Sequence, residues 1–160
     1  MFMDMRASVI TRIALVASLL LTACGGSRQP SAVNRQTPPQ EPQKGQVWQL
    51  VAIRGKAVSR QAEPVTLVFN PEAKTVSGRT TCNNYYGNYR LRLEAQLPEG
   101  DRYTLTLSGV GHGDTRCPEA EMNAEARYMA LFEKADALML DAYTMTLYQK
   151  GKETLKYELQ

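Results

Sequence analysis

Histidine occurs once, tryptophan once and cysteine three times in this 160-residue chain. One imidazole and three thiols leave little from which to assemble a metal cage, so no metal site is expected. Charge of one sign is nowhere concentrated. The chain has 19 Lys and Arg against 16 Asp and Glu, a formal net charge of +3. Without a dense basic stripe, no nucleic-acid partner is expected. Long apolar runs are missing as well. The stretch from Ile13 to Leu21 has nine residues, whereas a membrane-spanning helix needs roughly 20, and a polytopic membrane protein is thereby excluded. No internal repeat, Ser-nucleophile motif, phosphate-cradling glycine loop or paired-carboxylate constellation is visible, and no cofactor is expected. What remains is ordinary, with 43% hydrophobic and 22% charged residues, 11 Gly and 8 Pro. That composition excludes a wholly disordered or collagen-like chain and predicts one compact domain, expected as a monomer.

The N-terminus has the order of a secretory signal: Arg6 and Arg12, then the short apolar run, then Thr22-Ala23 ahead of Cys24. Met1, Met3 and Met5 are alternative starts. The segment Leu21-Thr22-Ala23-Cys24-Gly25 resembles the bacterial lipobox, in which the cysteine is acylated and becomes the new N-terminus. Residues 1–23 are therefore expected to be a lipoprotein signal peptide and Cys24 the lipidation (palmitate) site. Stable anchoring needs more than one acyl chain, which this class of modified cysteine carries. Gly25 rather than Asp after the cysteine favours the outer membrane, facing the periplasm. Residues 24–45 hold the lipidated Cys and a Pro/Gln-rich segment that cannot bury enough apolar area to offset its ordering entropy. They are expected to be a disordered linker with a reach on the order of 25 Å.

From Gln46 the pattern changes to alternating, β-rich runs: 47–53, 65–69, 75–78, 89–93 and 103–107. Pro118-Glu119-Ala120-Glu121 then opens a helix expected over 118–135, with Met122, Ala126, Met129 and Phe132 on one face. Strands resume at 138–140, 143–148 and 155–159. The expected fold is α+β and mainly antiparallel. About eight short strands form a curled sheet or partial barrel, packed with one amphipathic helix between strands 5 and 6.

Trp48-Gln49-Leu50, Val65 to Phe69, Val76-Ser77-Gly78, Cys82-Asn83-Asn84-Tyr85-Tyr86-Gly87-Asn88-Tyr89, Cys117-Pro118 and the closing strands together resemble the META domain of HslJ-type heat-shock lipoproteins. The resemblance covers residues 46–160. Thr81 stands where the family usually has a small residue, and Gly113 to Arg116 departs from its usual segment before the second cysteine. The family implies a small envelope domain linked to heat and novobiocin tolerance, with no established catalytic activity.

Cys82 and Cys117 are an even pair in an exported chain, and a disulfide between them is expected; the alternative is two buried thiols. Asn83, Tyr85, Tyr86 and Asn88 could form a sugar or peptide recognition surface, whereas Asn and Gly are also what a tight turn needs. His112 with Cys82 and Cys117 fits no common zinc pattern. A Cys117 nucleophile with His112 as base and Asp114 as orienter has the right residue types without a visible geometry. The expectation is a non-catalytic, lipid-anchored envelope module that binds or stabilises during stress. The alternatives are an inhibitor or chaperone of an envelope enzyme, as lysozyme inhibitors are, and a Cys-dependent hydrolase.

Overall fold

The computed structural model of the protein describes residues 40–59 and 63–160. The expected signal peptide, Cys24 and the linker up to residue 39 lie outside the described residues. In chain order the elements are β1 (Val47–Ile53), β2 (Lys56–Ala57), β3 (Thr66–Asn70), β4 (Thr75–Arg79), β5 (Asn84–Leu97), β6 (Gly100–His112), α1 (Glu119–Phe132), β7 (Ala137–Leu140), β8 (Thr144–Gln149) and β9 (Lys152–Leu159).

Neighbouring strands pair antiparallel, and β9 returns to pair with β1 through Leu50↔Tyr157, so eight strands close into a barrel. Closure leaves those strands without free edges. The two-residue β2 is an extra strand on β1, which puts the helix between the sixth and seventh strands in order. Alternation sets what faces inward: Trp48 and Leu50, Leu67 and Phe69, Tyr85 and Tyr89, Leu155 and Tyr157 are all buried. Antiparallel order collects the turns at two ends. Arg54-Gly55, Thr80 to Asn83, the end of β6 and Lys150-Gly151 share one end. The β3–β4, β5–β6 and β7–β8 turns share the other.

Three expectations need correction. The stretch 84–88 is strand, not turn, and β6 runs on to His112, past the strand end expected at residue 107. The glycines there serve a bulge: β5 advances from Tyr86 to Asn88 while β6 steps from Gly111 to Ser108, with Gly109 at φ 60°. The helix is shorter than expected and turned about its axis. Its buried residues are Glu125, Tyr128, Met129, Leu131 and Phe132, while Met122 is 40% exposed and Ala126 is exposed. Ordered packing also begins ahead of Gln46. The Gln40 N–H donates to Asp101 Oδ2 at 2.6 Å, the Tyr103 hydroxyl donates to the Gln40 carbonyl at 2.8 Å, and Pro42 is buried. A main chain gripped through both its donor and its acceptor is held despite the polar composition around it.

Candidate functional site

Four of the residues singled out in the sequence, Cys82, Asn83, His112 and Cys117, meet where the β4–β5 turn touches the start of α1. Cys82 in the turn is joined to Cys117, just before the helix, by a disulfide with Cα atoms 5.9 Å apart. It closes a loop of 35 residues, and the chain-entropy model assigns such a closure about 4 kcal/mol. Beneath it lies Glu125, a carboxylate only 6% exposed. Burying an unpaired carboxylate would be costly, and this one is met on both oxygens. Oε2 accepts the Thr80 hydroxyl and, at 2.8 Å, the Asn83 backbone N–H; Oε1 accepts the Asn83 side-chain amide at 3.0 Å.

Burial is the largest influence on Glu125 and would raise its pKa. The hydrogen bonds from the Thr80 hydroxyl, the Asn83 side chain and the Asn83 backbone, with His112 nearby, outweigh it and hold the carboxyl below its ordinary value. The group is an anion at neutral pH with its lone pairs engaged. Asn83 also binds the segment ahead of Cys117: its Oδ1 accepts the Thr115 N–H at 3.0 Å, and its Nδ2 lies 3.3 Å from the Thr115 carbonyl. The Thr81 hydroxyl donates to the Glu121 carbonyl at 3.0 Å. Both departures from the usual family pattern thus carry contacts across this junction.

His112 is exposed, with Nδ1 2.7 Å from the Gly113 carbonyl and 3.6 Å from Glu125 Oε1. A carbonyl only accepts, so Nδ1 carries the proton of that contact. Cys117, tied to Cys82, has no thiol for His112 to deprotonate, and Asp114 is exposed on the connecting segment. Among the described residues, no group of three or more His, Cys, Asp or Glu is placed to hold a metal ion.

The four residues of the expected recognition surface do not share a face. Asn83 is 7% and Tyr85 1% exposed, both turned inward, while Tyr86 and Asn88 point outward. The physical reason is the two-residue period of β5, which sends Tyr85 and Tyr86 to opposite sides. Outside, Tyr86 lies against Gly111 on β6. Inside, the Tyr85 hydroxyl lies 2.7 Å from the Thr66 carbonyl and 2.6 Å from the Tyr128 hydroxyl, which lies 2.9 Å from that of Tyr157. Each phenol has one proton, and the carbonyl only accepts. The donors must therefore run Tyr157 to Tyr128 to Tyr85 to Thr66. Burial pushes all three phenols above their ordinary pKa.

This wire explains Gly78. It faces Tyr85 in the register, and a Cβ there would lie 2.0 Å from the Thr66 carbonyl oxygen and 2.5 Å from the Tyr85 hydroxyl. The glycine keeps open the gap through which Tyr85 reaches a carbonyl two strands away. Sequence reading missed Thr80, Glu125 and Tyr128. The signal was present in Glu125, Tyr128, Met129 and Phe132, at i, i+3, i+4 and i+7, once an acid is allowed on the buried face. As built, the junction locks a turn, a strand end and a helix together through one covalent bond and one ionised carboxylate.

Comparison with known proteins agrees with this architecture. The META domain family model matches residues 41–160. No curated protein matches the chain. Among solved structures, an NMR structure of a protein is 25% identical with a TM-score of 0.50, covering 71% of this chain and 88% of the other. An NMR structure of a protein from Burkholderia xenovorans is 20% identical with a TM-score of 0.57, covering 78% and 91%. The second likeness bears on the fold alone.

Proposed function

This chain belongs to the META domain family, and on that premise we propose that it is a lipid-anchored, non-catalytic module of the bacterial cell envelope. It is acylated at Cys24, held at the outer membrane facing the periplasm, and binds or stabilises an envelope component during heat or antibiotic stress, as an HslJ-type lipoprotein would. The observation that carries the reading is the division of labour among the three cysteines. Cys24 sits in a lipobox-like segment, and the other two are paired with each other. A structural disulfide suits an exported protein, because oxidising compartments sustain it. The same bond removes the thiol that a Cys117-based hydrolase requires.

The test is metabolic labelling with radioactive palmitate, comparing the natural chain with Cys24→Ala, followed by membrane fractionation. The reading predicts label and membrane recovery for the natural chain, and neither for the variant. Equal recovery of both chains in the soluble fraction, without label, would overturn it.

A further inference from the structure

The end of the barrel that carries the Arg54-Gly55 and Lys150-Gly151 turns holds two adjoining cavities. The first, of about 320 Å³, lies between the β1–β2 turn and α1 and is lined by Ile53, Arg54, Arg127, Ala130, Leu131 and Lys134 among others. Arg127, Ala130 and Leu131 fall on one flank of the helix, with Lys134 just past its end. Half-buried Ile53 and buried Leu131 make an apolar floor, and the three cations and Ala130 form an exposed rim. The second cavity, of about 390 Å³, shares Arg54 and adds Lys152 and Glu153. The two linings together hold four cations and one carboxylate. None of the four cations belongs to an ion pair of the described residues.

Backbone geometry supplies a second, independent sign. Arg54-Gly55 and Lys150-Gly151 are two-residue hairpin turns with positive φ at both positions: 49° and 73° in the first, 50° and 75° in the second. Such turns favour Gly, which has no Cβ to meet the carbonyl oxygen, and Asn or Asp, whose short polar side chains hydrogen-bond locally. Both carry a base instead, as the β3–β4 turn does at Lys74 with φ 54°; of these three bases Arg54 lines both cavities. Strained non-glycine residues of this kind collect where a side chain is needed. Lys134 alone would be accounted for by the negative end of the helix dipole. Arg54, in the β1–β2 turn, and Lys152, the first residue of β9, would not.

We propose that this end of the barrel binds a small anionic amphiphile. Its acyl chain or ring lies on Ile53, Ala130 and Leu131, and its carboxylate or phosphate headgroup is held by Arg54, Arg127 and Lys134. The first cavity has the volume of a small ligand pocket, and guanidinium groups suit a forked anionic headgroup. The assignment goes beyond the tethered-module reading and does not depend on acylation of Cys24.

The experiment is calorimetric titration of the full chain with decanoate, with decanol, with inorganic phosphate and with phosphatidylglycerol vesicles. It is repeated on Arg54→Asn and Ala130→Trp, with a thermal melt of each variant. Saturable decanoate binding is expected, at least tenfold tighter than that of decanol or phosphate. Arg54→Asn should weaken it about tenfold, the equivalent of one charge-assisted hydrogen bond, while its Tm is unchanged or higher, since asparagine suits the turn. Ala130→Trp, at an exposed rim position, should fill the pocket and abolish binding. Several results would overturn the proposal: no saturable decanoate binding, equal binding of decanol, equal binding of phosphate, binding of vesicles alone, or indifference to both variants.

Discussion

Replacing Glu125 by glutamine tests the junction with almost no change of shape. The carboxylate accepts on both oxygens, whereas an amide accepts on one and donates from the other. With its oxygen toward the Asn83 side-chain amide, the new NH₂ faces the Thr80 hydroxyl and the Asn83 backbone N–H. The Thr80 hydroxyl, whose oxygen already accepts the Cys82 and Asn83 backbone N–H groups, can turn its proton to the Asn83 carbonyl 2.9 Å away; the backbone N–H has no such freedom. One hydrogen bond to an ionised acceptor is lost, with the others reduced to neutral strength, a cost of about 2 kcal/mol. For a domain of this size the corresponding fall in Tm is about 8 °C. The effect should also depend on pH. Glu125 is held below its ordinary value, so its contribution is complete above the unfolded carboxyl range near pH 4.3 and disappears as pH falls through the lower folded value. Asp141, where burial is the largest single effect but is outweighed by the Tyr143 and Thr144 amides and the Thr144 hydroxyl together, is also held low, is present in both proteins and cancels. Calorimetric melts from pH 7 to pH 2.5 should show a gap between natural chain and Glu125→Gln that is widest near neutrality and closes in acid. A gap below about 2 °C at pH 7, or one that does not change with pH, would refute the reasoning.

Gly78→Ala should cost more than 3 kcal/mol by urea titration, because its Cβ displaces either the Thr66 carbonyl or the Tyr85 hydroxyl. The double change Cys82→Ser, Cys117→Ser should lower stability by about 3–4 kcal/mol, and thiol titration of the denatured, unreduced natural chain should find neither of these sulfurs free. Tyr85→Phe removes the last donor of the phenol wire and should cost about 1–3 kcal/mol, while Tyr86→Phe, on the opposite face at 62% exposure, should fall within about 0.5 kcal/mol. Equal effects at the two tyrosines, measured by the same melts, would contradict the inward and outward assignment.

The sheet was legible because a strand with one wet face writes its burial into alternate residues. Val47 to Ile53, Val65 to Phe69 and Tyr143 to Tyr148 could be read directly. The stretch from Asn83 to Asn88 could not, since Asn and Gly have two uses: they make turns, and they also make strands that pass beneath an aromatic ring or carry a bulge. Alternation alone would have separated Tyr85 from Tyr86, had the segment been read as strand. The helix was located but turned the wrong way. A buried acid is improbable until its donors are known, and those donors, Thr80 and Asn83, lie more than 40 positions earlier in the chain. Gln40 and Pro42 read as linker for a similar reason: their composition is polar, and the groups that grip the main chain, Asp101 and Tyr103, are far away in sequence.

The most direct measurement on the whole account is the intact mass of the protein extracted from its native envelope without reductant. The expected species is a chain that begins at Cys24, heavier by its acyl groups and lighter by the two hydrogens of the Cys82–Cys117 bond. A chain that keeps residues 1–23, or one that starts at Cys24 without acyl mass, would contradict the tethered module at its root.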